Sequence, residues 1–301
     1  MFGWLMRLFG SNPSDAGRRR AYRDRFDLDE LARRIGLPLT EIQRVAIEYR
    51  DVEISKRSGG VRKLSIPNAV LKTLQRRLLH RVFGKLQAHP AAFGFERGKS
   101  IADHARQHVG RAVVVKFDLR DFFTATTAAR VEAYFRMIGW NAEAAALLTK
   151  LCTWQGSLPQ GAPTSPRLSN LVNYTLDARL TAAATTIGAS YSRYADDLAF
   201  SSPSSTGVTT QTSIPGLFIS DASHICHAFG YRLNRRKTRV MRSHQRQQLT
   251  GLVVNERVRL PRETRRRLRA IEHQRRRRGE CSLSDEQLAG WQAFRAMVEN
   301  N

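Results

Sequence analysis

Two adjacent aspartates inside an apolar, aromatic run constrain this chain most. The run YADDLAF occupies residues 194–200, and the residues around it read as two short strands, 190–194 and 198–202. Burying neighbouring carboxylates costs desolvation free energy unless a cation offsets their charge. The pattern predicts a hairpin with Asp196 and Asp197 at its tip, facing a pair of divalent metal ions. An ordinary acidic turn is the alternative, because Asp favours turns through local hydrogen bonds.

The charge balance of the chain indicates a polyanionic partner. Its 301 residues include 50 Lys and Arg against 26 Asp and Glu, which gives a net charge of +24. Such an excess favours binding to phosphates, because counterions are released when the phosphates are neutralised. Residues 231–280 alone contain 18 Lys or Arg and 4 Glu. Nucleic acid is the first expectation and an anionic membrane surface the second.

The cysteines and the apolar segments indicate the cellular compartment of the protein. Cys152, Cys226 and Cys281 lie far apart without CxxC spacing, so neither a disulfide framework nor a thiolate zinc site is expected. No apolar run approaches the length of a membrane span. We therefore expect a cytoplasmic protein with no membrane partner.

Hydrophobic periodicity divides the chain into mixed helices and strands, the α+β class. The strand at 113–119 is β-branched and ends beside Asp118, and the hairpin at 49–67 has basic residues around its SGG loop. Further strands are expected at 249–255 and in the 190–202 hairpin. Helices are expected within 27–50 and at 70–86, 130–138, 142–152, 167–184, 219–229 and 261–278.

Three carboxylates at strand ends are expected to meet at one edge of a sheet. Asp118 ends one strand, and Asp196 and Asp197 follow after a Gly-Pro loop at 158–166 and a helix. Carboxylate oxygens are the ligands that Mg²⁺ prefers. Two such ions about 4 Å apart flank the attacking and leaving oxygens in two-metal phosphoryl transfer. The spacing therefore favours phosphoryl chemistry at this edge.

Three motifs in this order resemble those of reverse transcriptases: FDLRDFF at 117–123, LPQG with the following SP at 158–166, and YADD at 194–197. The resemblance extends from about residue 49 to 278 and implies a right-hand polymerase fold. Residues 1–48 would be a helical lead-in and 49–115 the fingers. Residues 116–255 would be the palm, with an antiparallel sheet, and 256–301 a small basic helical thumb.

The resemblance also implies the residues of the site. Asp118, Asp196 and Asp197 would bind two Mg²⁺ ions, which Mn²⁺ can replace, with the backbone carbonyl of Leu119 as a further ligand. Five side chains would serve the dNTP: Lys56 and Arg62 on the triphosphate, Phe123 as the steric gate against a ribose 2′-hydroxyl, Gln160 lining the pocket, and Lys237 protonating pyrophosphate. Nucleic-acid contacts would come from Arg265, Arg266 and Arg269. As alternatives, Phe123 is a core aromatic and Gln160 bonds only within its loop.

Two further segments resemble motifs of bacterial retron reverse transcriptases. HARQH at 104–108 differs by one residue from NAxxH, and LTG at 249–251 differs by one from VTG. A retron-type enzyme implies a structured non-coding RNA as template and primer, a branched RNA–DNA product, and a role in phage defence beside a separate effector protein. Two alternatives stay open: a related defence polymerase with protein-primed or untemplated DNA synthesis, and a reverse-transcriptase-like RNA-binding scaffold.

Overall fold

The computed structural model describes residues 24–55, 59–203, 214–279 and 282–299. In these ranges the helices are α1 Leu28–Ile35, α2 Leu39–Arg44, α3 Ala69–Arg81, α4 Ile101–Arg106, α5 Ala128–Met137, α6 Ala142–Cys152, α7 Ser165–Val172, α8 Tyr174–Thr186, α9 Ile214–Ala228, α10 Arg262–Arg278 and α11 Asp285–Glu299. The strands are β1 Tyr49–Ser55, β2 Val61–Pro67, β3 Val113–Asp118, β4 Ser190–Tyr194, β5 Asp197–Ser202, β6 Arg239–Arg242, β7 Gln248–Leu249 and β8 Leu252–Val253. The predicted α+β class is confirmed.

The chain folds into two compact units, and each is assembled from separate stretches of sequence. Taking the described residues alone, the first unit lies within Met1–Ala88 and Asp121–Asn173, and the second within His89–Arg120 and Tyr174–Asn301. The fingers, palm and thumb boundaries expected from the sequence remain predictions.

In the part of the first unit that the structure describes, the β1–β2 hairpin is combined with six helices, α1 to α3 and α5 to α7. The two strands pair antiparallel from Tyr49 opposite Pro67 to Ser55 opposite Val61, as the sequence predicts. Local signals set the helix ends: the Asp27 carboxylate accepts the Glu30 amide at the start of α1, which ends before Gly36 in a left-handed conformation. The core contains Leu31, Leu78, Phe135, Trp140 and Leu148, all at most 1% exposed.

The second unit contains a four-stranded antiparallel sheet in the order β4-β5-β3-β6. Strand β3 is central and carries the buried β-branched run Val113, Val114 and Val115, which suits a strand covered on its faces. Helix α8 packs on β4 and α9, while α9 also contacts β3 and α4 contacts β4 and β8. Helices α4, α8 and α9 therefore pack on the sheet whose strand β3 ends at Asp118.

The single helix expected at 167–184 is wrong, because two helices, α7 and α8, meet there. Asn173 separates them and is fully buried. Its side-chain oxygen accepts from Arg130 at 2.7 Å, and its amide donates back to the Ser169 carbonyl at 2.8 Å. A buried Asn with such partners competes with the helical backbone pattern. The break coincides with the boundary between the two units.

The continuous strand expected at 249–255 is also wrong. Gln248 and Leu249 pair instead with Leu252 and Val253, so the segment is a tight hairpin. The two turn residues, Thr250 and Gly251, have φ angles of 46° and 86°. Positive φ at both positions is the requirement of a type I′ turn, which Gly tolerates without steric cost. Periodicity alone did not reveal this reversal.

Candidate active site

The three predicted carboxylates come together in the second unit. Asp118, the last residue of β3, lies directly opposite Asp197 in the β3–β5 pairing. The amide of Leu119 donates to the carbonyl oxygen of Asp196 at 2.9 Å, which ties the end of β3 to the turn of the neighbouring hairpin. Asp118 is 7% exposed, whereas Asp196 and Asp197 are partly exposed. The expected convergence at one edge of the sheet is therefore present.

The turn between β4 and β5 is shorter than the sequence indicates. Tyr194 pairs with Asp197, so Ala195 and Asp196 alone form the two-residue turn, and Asp197 is the first residue of β5. The prediction that both aspartates occupy the tip is corrected accordingly. Ala195 has a φ of 57°, a left-handed value that is uncommon for alanine. We call β4, this turn and β5 the aspartate hairpin.

Two lysines contact the carboxylates. Lys116 lies two residues before Asp118 and therefore on the same face of β3, and its Nζ is 2.9 Å from Oδ2 of Asp197. The Nζ of Lys237 is 2.7 Å from Oδ1 of Asp118. Lys237, predicted to act on pyrophosphate, is thus beside the carboxylates, and Lys116 is a charged neighbour that the sequence did not single out.

The electrostatics of the carboxylates favour added positive charge. Burial raises the pKa of Asp196, and the neighbouring charge of Asp197 raises it further. Burial also raises the pKa of Asp197, although the contact with Lys116 opposes this shift. The hydrogen bond to Asp118 raises the pKa of Lys237 and keeps that lysine charged. A divalent cation at this edge would offset the charge that burial disfavours.

The donor chemistry fits a hard divalent cation, because three carboxylates offer oxygen ligands on adjoining strands. Within the ranges that the structure describes, however, no three His, Cys, Asp or Glu side chains are grouped closely enough to hold a metal ion as they stand. In this arrangement Lys116 engages one oxygen of Asp197, and Lys237 engages one oxygen of Asp118.

Two buried histidines, His104 and His108, contact the aspartate hairpin. The ring nitrogens of His108 lie 2.7 Å from the Ser201 hydroxyl and 2.6 Å from the Ser192 hydroxyl, so one imidazole joins β5 to β4. The ring of His104 lies 5.7 Å from that of Tyr194. Both histidines are fully buried, and burial lowers the pKa of each to about 3. They are therefore neutral at physiological pH.

Three of the residues predicted to contact the nucleotide, Arg62, Phe123 and Gln160, belong to the first unit. Arg62 is exposed on β2, and Phe123 is partly buried with its ring 5.4 Å from that of Phe122. The backbone oxygen of Gln160 accepts the Ser65 amide at 2.8 Å, which joins the LPQG loop to β2. Lys56 lies outside the described residues. The roles of these side chains on a nucleotide stay predictions.

A close backbone contact with β2 explains why the residue after Gln160 is a glycine. Gly161 has a φ of 128°, and a Cβ there would lie 2.8 Å from the Ser65 carbonyl oxygen. Only glycine permits this close approach of the loop to β2 without a steric clash.

The basic helix α10 exposes one face of arginines. Arg266 and Arg269 are exposed, while Leu268 and Ile271 are buried on the opposite side. Arg265, the third predicted contact, is half-buried, and its Nε is buried without a hydrogen-bond partner among the described residues. Helical spacing aligns the exposed residues Arg262, Arg266, Arg269, His273 and Arg276, which we call the basic stripe.

We expect Gly94→Ala to impair the DNA synthesis that the resemblance to reverse transcriptases implies. A Cβ at Gly94 would lie 2.6 Å from the Ala195 backbone nitrogen, so the substitution must displace the turn that carries Asp196. A displacement of about 1 Å at a reacting centre costs about 100-fold in rate. The measurement is single-nucleotide incorporation on an RNA template annealed to a DNA primer. Gly290→Ala in α11 is the matched control, since a Cβ there contacts nothing; equal rates for both variants would contradict the expectation.

Comparison with known proteins identifies the family. The sequence profile of the reverse transcriptase (RNA-dependent DNA polymerase) family matches residues 54–255. The chain belongs to the reverse transcriptase family. Among curated relatives, the retron Mx65 reverse transcriptase of Myxococcus xanthus is 39% identical over 83% of this chain and 61% of its own length. The retron Mx162 reverse transcriptase of the same organism is 37% identical over 90% and 64%.

The retron Ec86 reverse transcriptase of Escherichia coli is 34% identical over 84% of this chain and 77% of the relative. The retron-type resemblance predicted from the sequence is thus confirmed. The chain spans less than two thirds of the length of the two Myxococcus relatives. Among solved structures, a telomerase from Candida albicans is similar over 74% of this chain and 48% of its own, at 12% identity and a TM-score of 0.47.

Sequence patterns did not identify three charged residues of the second unit, Lys116, Arg193 and Asp177. Lys116 precedes Asp118 by two residues, and period-two spacing was a signal that could have found it. Arg193 immediately precedes the YADD motif and is fully buried with Asp177. No local signal pairs these two, because they lie 16 residues apart on different elements.

Proposed function

We propose that this chain is an RNA-directed DNA polymerase of the retron type, which copies a structured non-coding RNA into DNA. The observation that carries the proposal is the meeting of Asp118, Asp196 and Asp197 on adjoining strands in a member of the reverse transcriptase family. Such carboxylates are the means by which a polymerase site holds the cations that nucleotidyl transfer requires.

In this proposal Asp118, Asp196 and Asp197 hold two Mg²⁺ ions, or Mn²⁺ in their place, and the Leu119 carbonyl is a further ligand. When bound, these ions would activate the attacking hydroxyl and stabilise the charge of the leaving pyrophosphate. Lys237, kept protonated by its contact with Asp118, would donate a proton to the leaving group.

The side chains of the first unit are assigned to the incoming dNTP. Arg62, exposed on β2, would bind the triphosphate with help from Lys56, because fixed cations stabilise charge that develops on phosphates. Phe123 would exclude a ribose 2′-hydroxyl. Gln160, whose backbone is fixed by Ser65, would line the pocket with its side chain.

The RNA and its DNA product are assigned to the basic stripe. The planar guanidinium of arginine can bind two phosphate oxygens at once. Arginines aligned along a helix would therefore recognise the shape of the nucleic-acid backbone more than the base sequence.

A role in phage defence beside a separate effector protein is part of the proposal and comes from the retron resemblance. A cytoplasmic setting fits the buried free thiols of Cys152 and Cys226. In the described part of the chain, no helix has the length and apolar character needed to cross a membrane.

The test is DNA synthesis by the purified protein with its copurifying nucleic acid, dNTPs and Mg²⁺. We expect labelled DNA that depends on intact RNA and whose sequence is complementary to that RNA. Absence of product with the copurifying RNA and with a supplied RNA template and DNA primer would overturn the proposal in favour of a binding scaffold. Product that is insensitive to RNase pretreatment would instead favour protein-primed or untemplated synthesis.

Substitution of the basic stripe provides a separate prediction. The double variant Arg266→Gln, Arg269→Gln should weaken RNA binding. It should also make the plot of log affinity against log salt concentration less steep by about 1.5, because two phosphate contacts are lost. Filter binding of the copurifying RNA between low and moderate salt measures the slope. Lys150→Gln, an exposed cation on α6, is the control. A slope unchanged in the double variant would remove α10 from the RNA interface.

A further inference from the structure

Arg193 is a buried cation that lies just before the metal-binding motif. It is on β4, and its side chain is 0% exposed. Its partner is Asp177 of α8, which is also 0% exposed. The guanidinium donates through Nε to Oδ1 at 2.8 Å and through Nη2 to Oδ2 at 2.6 Å, the bidentate geometry of a strong ion pair. The hydroxyl of Tyr191 donates to the same carboxylate at 2.8 Å.

The third nitrogen of the guanidinium reaches the turn of the aspartate hairpin. Nη1 of Arg193 donates to the Ala195 carbonyl oxygen at 3.1 Å. Ala195 is the residue with a φ of 57°, and its carbonyl carbon is bonded to the nitrogen of Asp196. Non-glycine residues hold such a conformation only where the surrounding structure imposes it. The planar fork of Arg193 therefore links α8 to the peptide that precedes Asp196.

The backbone on the other side of β4 is fixed as well. The amide of Arg193 donates to the Ala91 carbonyl at 2.8 Å, and its own carbonyl accepts the Phe93 amide at 2.8 Å. Gly94 continues this segment against the Ala195 backbone. The turn beyond Arg193 is held further by the Leu119 amide, which donates to the Asp196 carbonyl oxygen, but neither of these backbone contacts engages the Ala195 carbonyl oxygen. The Nη1 bond adds a direct restraint on the orientation of the Ala195 peptide.

We propose that Arg193 is a positioning residue that fixes the orientation of the Ala195 peptide and thereby of the Asp196 carboxylate. Asp177 holds the guanidinium in the plane that this requires. The inference rests on the proposed function of the carboxylate site. A lysine at this position would keep the charge and bind Asp177, but an ammonium lacks the fixed fork that reaches both partners.

The first test is Arg193→Lys, with Mn²⁺ binding by electron paramagnetic resonance and nucleotide incorporation as separate readouts. We expect about 10-fold weaker Mn²⁺ binding and a kcat lowered about 10- to 100-fold. The KM for dNTP and the affinity for RNA should change less than about threefold, because the side chain of Arg193 is fully buried. Tyr191→Phe, which removes one bond to Asp177 but leaves the turn, should keep kcat within about twofold of the parent.

A second variant separates positioning from folding. The triple substitution Asp177→Leu, Tyr191→Phe, Arg193→Met replaces the buried polar cluster by apolar side chains of similar size, an exchange that buried ion pairs often tolerate. Circular dichroism and the melting temperature measure its folding. We expect a folded protein with the same loss of kcat and of Mn²⁺ affinity as Arg193→Lys. If neither variant folds, a positioning role separable from folding is refuted.

Parental kcat and Mn²⁺ affinity in either folded variant would also overturn the proposal. Failure of the proposed function has a different signature. If the parent protein binds Mn²⁺ through Asp196 but makes no DNA, the Mn²⁺ readout still tests Arg193, while the polymerase proposal fails. If Asp197→Asn leaves Mn²⁺ binding unchanged in the parent, the carboxylate site itself is misassigned and the role of Arg193 falls with it.

Discussion

Asp197→Asn is expected to reduce nucleotide incorporation by at least about 100-fold, the scale of losing one group that stabilises developing charge. Asn keeps the shape of Asp197 and its place at the start of β5 but removes the charge that would bind a divalent cation. The same change leaves Lys116 without its anionic partner, so that its ammonium competes for the neighbouring carboxylates. Incorporation at saturating dNTP and Mg²⁺ measures the effect.

RNA affinity should be nearly unchanged in Asp197→Asn, because the basic stripe lies on a different element. Asp29→Asn, an exposed carboxylate in the first turn of α1, is the matched control and should retain full synthesis. Synthesis by Asp197→Asn at the rate of this control would mean that the metal site lies elsewhere. Loss of RNA binding together with synthesis would instead indicate a folding defect.

Acidification below about pH 6.5 should destabilise the protein through its two buried histidines. His104 and His108 have pKa values of about 3 in the folded state, well below the ordinary value of 6.5, because burial disfavours their charged form. The unfolded chain binds these protons as pH falls below 6.5, while the folded chain does not. Stability is therefore full above pH 6.5 and is lost progressively towards pH 3, by about 2 kcal/mol per histidine at pH 5.

Denaturant unfolding followed by circular dichroism at several pH values between 5 and 7.5 measures this dependence. Asp196 and Asp197, whose pKa values are raised, contribute with the opposite sign, so the comparison needs a variant. His104→Asn removes one buried titration and leaves the others. Below pH 6 its free energy of unfolding should change less steeply than that of the parent, by about 1.4 kcal/mol per pH unit. Parallel curves would show that His104 is already protonated in the folded protein.

Much of the aspartate site follows from local patterns in the sequence. The β-branched run before Asp118 and the apolar residues around Asp196 predict strands, and strand ends are where carboxylates can meet. The β1–β2 hairpin and the limits of α6 and α10 were also predictable, because Pro, Asn and Gly mark their ends. These signals act within a few residues, where sequence patterns are most informative.

The features that the sequence did not predict depend on tertiary contacts. The pairing of Arg193 with Asp177 needs the packing of α8 on β4, and a charged residue in a strand gives no sign of being fully buried. The helix break at Asn173 depends on Arg130, which lies 43 residues away. The β7–β8 turn depends on the left-handed conformation of Thr250, which the presence of a threonine does not predict. Each required a partner or a backbone angle that periodicity does not encode.

The interleaving of the two units bears on how the protein is made. During synthesis the first unit has all of its sequence once residue 173 has been added, whereas strand β3 of the second unit is complete at Asp118. Its partner β5 begins 79 residues later at Asp197, so the apolar Val113, Val114 and Val115 emerge from the ribosome long before they are covered. Unpaired apolar strands of this kind associate with other chains. Expression conditions that slow initiation or supply chaperones should therefore raise the soluble yield more than changes to the surface of the finished protein.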